Sequence, residues 1–306
     1  MERRHILHLF TPGRQASPFD VNMAADAGYD LVVPYCQVDA DGVAAMTQDA
    51  IFSRGPKGVA RTGIFIGGRD ALLAADMLAR AQAAMVPPFS VSLMADPSGA
   101  YTTAAAMLAC VEAALQQRHG QGLAGQQVLV LGGTGPVGRV AAVLAAQAGA
   151  RVRLASHRGR PHADAAAAET AQRFGVPIDG ASTADAAALA EALAGTDLLL
   201  ACAAAGVQVV DASALQQAVR LKVAADVNAV PPAGIAGVGV MDQQQPLAGS
   251  GAVGIGALAI GNVKYQTQHR LLLQMREASR PVVLGFAEAL HTARSWLAEQ
   301  PAAPSR

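Results

Sequence analysis

The chain lacks an excess of charge of either sign, because 23 lysines and arginines stand against 23 aspartates and glutamates among its 306 residues. It also lacks a basic block or a basic stripe interleaved with aromatics. Nucleic-acid binding needs a positive face, so that class of function is set aside. No hydrophobic run is fit to span a bilayer, since uncharged stretches such as "AGSGAVGIGALAIGNV" at 248–263 are glycine-rich and short. The opening "MERRHILHLF" breaks at Thr11-Pro12-Gly13 rather than entering the apolar core of a secretory signal. The expectation is a cytoplasmic protein without a membrane partner. Cysteine is scarce as well: Cys36, Cys110 and Cys202 lie in separate apolar runs with no CxxC spacing. That excludes a disulfide framework and a zinc site, and predicts reduced, buried thiols.

What is present is apolar sequence in alternating periods. Hydrophobic residues make up 52% of the chain, enough for a large core and about two domains. Up to about residue 115, short apolar runs ("HILHLF", "YDLVVPYCQV", "TGIFIGG", "FSVSLMAD") alternate with helical periods ("FDVNMAADAG", "GVAAMTQDAIF", "RDALLAADMLARAQAAM"). Such alternation predicts a parallel α/β layer. The alanine-rich "TTAAAMLACVEAALQQRHG" predicts a helix with a cap near Ser98 to Thr103 and a stop at Gly120. From Gln127 a second alternation begins, with strands "QVLVLGG", "RVRLASH", "DLLLACA" and "LKVAADVN" and helices at 136–149, 161–174, 183–195 and "DASALQQAV". The expected fold class is therefore α/β. An N-terminal α/β domain (1–115) precedes a Rossmann-type doubly wound parallel sheet (116–263), and C-terminal helices (264–306) pack back on the first domain.

The sharpest local signal is "LGGTGPVG", in which Gly133, Gly135 and Gly138 satisfy G-x-G-x-x-G directly after a strand and at the start of a helix. The first glycine permits the turn, the second lets backbone approach a pyrophosphate, and the third lets helix pack on strand. Gly133 to Gly138, with Thr134, Pro136 and Val137 between the glycines, are thus expected to hold a dinucleotide at a helix N-terminus. Pro136 suits the first helical position, where no N–H is needed. An acid about 20 residues on would accept the ribose hydroxyls of NAD. This chain instead offers Ser156, His157, Arg158 and Arg160. A guanidinium can grip a 2′-phosphate that a carboxylate would repel, so NADP is favoured, with NAD still admissible. The alternative for Arg158 and Arg160 is a solvated loop charge, and His157 could stack on adenine or cap the strand. Ala203 and the pair Asp226 and Asn228 follow later strands and would line the ligand crevice. Asp226 and Asn228 could meet the nicotinamide ribose or amide, or cap the turn at Pro231 and Pro232.

Five segments, "SPFDVNMAADAGYD", "DPSGAYTTAAA", "LGGTGPVG", "ADVNAVPPAGIAG" and "GALAIGNVKYQTQHR", together resemble the bacterial methylene-tetrahydromethanopterin dehydrogenases of one-carbon metabolism. The resemblance covers nearly the whole chain, in the family's order. It implies oxidation of a methylene-tetrahydromethanopterin substrate to the methenyl form by NADP, and a homo-oligomer. It also implies that no general base or metal is needed, in keeping with the lack of a G-x-S-x-G elbow or zinc pattern. Under it, Asp20 is the candidate substrate-side carboxylate, its alternative being a helix N-cap. Lys264, after a flexible "GIGALAIGN", would touch a pterin carbonyl or a substrate anion at the rim, or be a surface lysine. Asp96, Ser98, Tyr101 and Thr102 form a polar loop in which Tyr101 could stack on the pterin and the hydroxyls bond it, with capping by Ser98 or Thr102 the alternative. Folate-type and shikimate-type dehydrogenases share the domain order, and a non-catalytic NADP sensor would keep the glycine turn alone. The five segments favour the methanopterin enzyme.

Overall fold

The computed structural model describes residues 3–300. Along the chain run β1 (Ile6–Phe10), α1 (Pro18–Asp26), β2 (Leu31–Tyr35), α2 (Gly42–Phe52), α3 (Pro56–Val59), β3 (Thr62–Ile66), α4 (Ala71–Ala83), β4 (Ser92–Ala95) and, after a 3-10 turn at Pro97–Gly99, α5 (Ala100–His119). There follow β5 (Gln127–Leu131), α6 (Pro136–Gln147), β6 (Arg151–Ser156), α7 (Arg160–Phe174), β7 (Ile178–Ser182), α8 (Ala186–Ala194), β8 (Leu198–Ala201), α9 (Ala212–Leu215) and β9 (Val223–Asp226). The last elements are β10 (Gln243–Pro246), β11 (Val253–Ile255), α10 (Ala257–Glu277), β12 (Val283–Leu284) and α11 (Phe286–Glu299). The chain divides into two compact units. One holds the described residues up to Thr102 with Tyr265–Thr292, and the other holds Thr103–Lys264 with the described residues from Ala293 on.

The first unit is built on a five-stranded parallel sheet in the order β12-β4-β3-β1-β2. Strand β3, "TGIFI", is buried along its whole length, as a central strand covered on both faces should be. Pro34 sits in β2, opposite Leu9, and β2 is the sheet's edge, where a missing N–H costs no ladder bond. Asp70 caps α4 by accepting from Leu72 N and Leu73 N at 2.9 and 3.0 Å.

The second unit carries a seven-stranded sheet in the order β10-β11-β9-β8-β5-β6-β7, parallel except for β10 against β11. The chain leaves β5 toward β6 and β7, then returns to the other side of β5 as β8. The topological switch therefore lies between β5 and β8, where open α/β sheets bind ligands at their carboxyl ends. Strands β8 and β9 are wholly buried. Helix α7 buries Ala163, Ala166, Ala167 and Thr170, the i, i+3, i+4, i+7 stripe of a helix lying on a sheet. Glu112 of α5 holds Arg294 of α11 through two hydrogen bonds of 2.6 and 3.0 Å.

Four strands differ from the sequence expectation. Between α7 and α8 the chain inserts β7, "IDGAS", a strand with only two apolar residues. Gly180 stands there because α7 passes so close that a Cβ would meet Asp164 N at 2.6 Å and Ala163 C at 2.9 Å. The short β11, the polar β10 and the two-residue β12 were too brief or too hydrophilic to carry a period. Helix α10 begins at Ala257, so the "GALAIGN" stretch is helical rather than flexible, its alanine, leucine and isoleucine outweighing Gly261. Cys36 is exposed, a correction to the expectation of three buried thiols. Burial does act on the other two, pushing the Cys110 thiol up to about 12 and that of Cys202 higher still.

The close approach at Gly180 gives a stability test. Gly180→Ala should lower the thermal midpoint by a cost on the order of 1–3 kcal/mol, the usual range for overpacking. Gly195→Ala, which meets nothing within 4 Å, should not. Thermal unfolding of both variants checks this.

Candidate functional site

At the switch point the turn after β5 is shaped by what it touches. Gly132 has a φ of +64°, and a Cβ there would lie 2.7 Å from the backbone of Cys202 and Ala203, at the end of β8. A Cβ on Gly133 would strike Leu154 Cγ at 2.6 Å, and one on Gly138 would strike Gly133 Cα at 2.6 Å. Internal packing therefore accounts for three of the four glycines between 132 and 138. Gly132, which the fingerprint omits, is the one in the left-handed region. Gly135 is different: its φ of −78° suits any residue, and a Cβ there would meet only Gly132 O, at 3.4 Å. The open space before Gly135 fits the approach of a phosphate. Arg139 N–H makes the first helical bond, to Gly135 O at 3.0 Å, so the N–H groups of Val137 and Gly138 precede the ladder and can face an anion. Thr134, Gly135, Pro136 and Val137 are all half-buried, as the lining of an open site is. Ala203 lies half-buried at the end of β8, beside the turn.

The end of β9 has a different task. Asp226 is buried and accepts from Asn228 N at 2.9 Å and Ile235 N at 3.1 Å. Burial raises its pKa, and bonds from the backbone of Asn228, Ile235 and Gly234 oppose that rise. Asn228 accepts from Gly206 N and Val230 N, both at 3.0 Å, and its amide donates to Pro232 O at 2.8 Å. These hydrogen bonds form the turn at Pro231 and Pro232. They tie the loop after β8 to the loop after β9.

At the end of β6, Ser156 is buried, its Oγ accepting from Arg158 N at 3.1 Å and lying 2.9 Å from His162 Nδ1. The hydroxyl thus shapes the β6–α7 turn. His157 and Arg158 are exposed at its tip, and neither side chain bonds another described residue. Arg160 is exposed and pairs with Asp164 at 2.7 Å, a contact that solvent screens.

In the first unit the candidate residues gather at the carboxyl ends of the strands. Asp96, after β4, accepts from Tyr101 N (2.9 Å) and Thr102 N (3.1 Å) through Oδ1 and from the Thr102 hydroxyl (2.7 Å) through Oδ2. The capping side chain at the start of α5 is therefore Asp96. Ser98, exposed with a φ of +52°, donates its hydroxyl to Gly68 O at 2.8 Å, joining the ends of β3 and β4. Tyr101 is only 1% exposed, donates to Ala71 O at 2.7 Å and sets its ring edge-on to Phe286. Its ring presents no face for a pterin to stack on, because it fills the core. Asp20 lies inside the first turn of α1, past the N-cap Ser17, and is 5% exposed. Its Oδ1 accepts from Gln268 Nε2 at 3.0 Å. Gln268, fully buried on α10, was missed, since a glutamine in "KYQTQHR" carries no signal that it will meet a carboxylate 248 residues away. Lys264 is half-buried on the same helix. Among the described residues no three His, Cys, Asp or Glu side chains gather as a metal site, and no helix is long and apolar enough to cross a membrane.

Comparison with known proteins adds the relatives. The family model described as the N-terminal part of methylene-tetrahydromethanopterin dehydrogenase matches residues 18–98. The chain is 47% identical over 286 residues to the NAD(P)-dependent methylenetetrahydromethanopterin dehydrogenase of Methylorubrum extorquens, covering 94% of this chain and 96% of that one. It is 35% identical over 279 residues to the Bifunctional protein MdtA of the same organism, covering 91% and 94%. Quinate dehydrogenase from Corynebacterium glutamicum, solved with NAD, has a similar fold at a TM-score of 0.51 and 12% identity, covering 96% of this chain and 99% of that one. The NAD-dependent malic enzyme of Thermotoga maritima reaches 0.51 at 10% identity, covering 96% and 85%. Together with a 47% identical relative named as an NAD(P)-dependent dehydrogenase, the glycine turn at the switch point of a doubly wound sheet makes the chain a nicotinamide-dependent oxidoreductase. Within that class, the chain belongs to the methylene-tetrahydromethanopterin dehydrogenase family.

Gly135→Ala should fold with an unchanged thermal midpoint yet bind NADP on the order of tenfold more weakly or worse, a loss that about 1.4 kcal/mol produces. Titration of the full chain with NADP checks it, and unaltered affinity would remove the pyrophosphate from this turn.

Proposed function

We propose that the chain oxidises methylene-tetrahydromethanopterin to methenyl-tetrahydromethanopterin, with NADP as the favoured hydride acceptor and NAD as a poorer one. The observation that carries this reading is the match, along 94% of the chain, to a relative named for that reaction. The fold likeness to quinate dehydrogenase and malic enzyme, at 12% and 10% identity, supports no shikimate-type alternative.

The chemistry is balanced without a proton transfer. A C–H bond breaks on the carbon between two nitrogens and its electron pair leaves with the hydrogen as hydride. A nitrogen lone pair then forms the C=N bond of the cationic product. NADP, when bound, supplies the acceptor carbon. The work of the protein is therefore placement and charge. The N–H groups at the start of α6 and the open face of Gly135 hold the pyrophosphate. Arg158, with His157, meets the 2′-phosphate, while Ser156 holds the turn that presents them and Arg160, its charge offset by Asp164, stands beside it. Asp226 and Asn228 fix the loops bordering the nicotinamide side, near Ala203. In the first unit Asp20 is a buried carboxylate, braced by Gln268, that can face the developing cation. Asp96 and Thr102 set the start of α5, Ser98 offers its exposed edge to the pterin, and Lys264 meets a pterin carbonyl or a substrate anion. The same reading makes the protein a homo-oligomer, as the resemblance implies, working in the cytoplasm.

Three measurements test the reading. Purified protein mixed with methylene-tetrahydromethanopterin and NADP should give rising reduced-nicotinamide absorbance, and a flat trace rejects the activity. Arg158→Ala should weaken NADP on the order of tenfold or more while changing NAD less than about twofold, the pattern of a lost charge-assisted contact. Equal effects on the two would place the 2′-phosphate elsewhere. Asp20→Asn should lower kcat on the order of tenfold or more with the Kd for NADP unchanged, as loss of transition-state stabilisation requires.

A further inference from the structure

Arg139, the fourth residue of α6, is absent from every fingerprint reading, yet its guanidinium is committed on all sides. Its side chain is 17% exposed. Nε donates to Thr134 O at 3.2 Å, and Nη1 donates to Thr170 Oγ1 at 2.8 Å and, at longer range, to Ala166 O at 3.4 Å. Nη2 pairs with Glu169 Oε2 at 2.8 Å. Thr134 lies within the glycine turn, while the other three partners all belong to α7. One side chain thus ties the turn to the neighbouring helix.

We propose that Arg139 is a positioning residue for the dinucleotide, holding the Thr134–Gly135 peptide in its binding geometry. That peptide is pinned at both ends, its carbonyl by Arg139 Nε and its N–H by Gly132 O at 3.1 Å. A peptide is a rigid plane, so two such bonds fix its orientation. The restraint matters here because four of the seven residues from 132 to 138 are glycine, the residue with the most backbone freedom. A turn ordered in advance spares the ligand the entropy of ordering it. The anchor on α7 is firm, since Thr170 is fully buried and its hydroxyl donates onward to Ala166 O at 2.7 Å. The Glu169 pair is partly exposed and offsets the guanidinium charge, so the residue acts by geometry more than by attracting phosphate. Lysine cannot replace it, because an ammonium has no planar fork to reach a carbonyl, a hydroxyl and a carboxylate together.

The inference rests on the glycine turn holding the pyrophosphate, and the test separates the two. Arg139→Lys and Arg139→Ala, measured on the full chain, should raise the Kd and KM for NADP roughly three- to tenfold, within the range expected for coupled neighbours. The KM for the pterin and kcat at saturating NADP should stay as in the natural chain. Glu169→Gln should shift NADP affinity in the same direction by less. A fall in thermal midpoint with unchanged KM for NADP would make Arg139 a stability residue only and overturn the proposal. So would full rescue by lysine, or tighter NADP binding in Glu169→Gln, since both would mean that charge is what counts. If Gly135→Ala binds NADP normally, the turn itself is misassigned. If Gly135→Ala is defective while both Arg139 variants bind normally, this inference alone falls.

Discussion

Backbone crowding at the carboxyl end of β5 is the constraint on which the nucleotide unit depends. The chain leaves the central strand, turns against the end of β8 and the side of β6, and enters a helix that lies almost on the turn itself. No side chain fits at Gly132, Gly133 or Gly138, where an added Cβ would come within 2.6–2.7 Å of neighbouring atoms. The approach is tight because the helix must bring its first N–H groups to the mouth of the crevice between β5 and β8. The glycines are therefore first a packing requirement and only then a binding device. Gly135 alone is left without an internal reason, and that surplus is what points outward to a ligand. The same economy appears in α6, where alanines from 141 to 146 let the helix settle on the sheet.

A second regularity runs through the strand ends: polar side chains are spent on backbone. Asp70, Asp96, Asp185 and Asp211 accept from helix N-termini, and Asp226 and Asn228 bond the loops around them. Each such bond satisfies a donor that would otherwise be lost when the loop packs down. The crevices are thus rimmed by loops already closed on themselves, with few side chains turned outward. Exposed polar groups are found instead at the tip of the β6–α7 turn, in His157 and Arg158, and the first helical N–H groups of α6 precede its hydrogen-bond ladder. A rigid rim with a few outward groups suits a reaction whose demand is alignment rather than proton traffic.

This division explains what could be read from the chain and what could not. The strands of both sheets with three or more apolar residues were legible, as was the turn, because periodicity and glycine spacing are local. Strand β7 was hidden because its glycine serves a neighbour, α7, and no local pattern reveals a helix passing overhead. Capping and ligation stayed ambiguous for Asp96, Asp226 and Asn228, because both use the same residue types in the same loops and only burial and partners separate them. Tyr101 read as a ligand-facing aromatic since it sits in a polar loop, yet its ring turns inward to Phe286. Gln268 and Arg139 were invisible for a related reason: their partners are non-local or are carbonyl groups, which sequence does not display.

The charge balance of the proposed reaction brings these features together. Hydride loss leaves the substrate more positive by one, while the acceptor ring loses its positive charge. A nucleotide site therefore needs donors and cations for phosphates that keep their charge throughout, which is the part proposed above for the α6 N–H groups and Arg158. A substrate site instead gains from a negative group whose interaction strengthens as the reaction proceeds, which is the part proposed above for Asp20. That carboxylate is 5% exposed, so water screens it little, and the amide of Gln268 restrains it in place. An exposed acid would be screened, and an unbraced one would have to reorient as charge develops. A buried, braced carboxylate does neither, and a hydride transfer of the proposed kind asks for no proton to be removed.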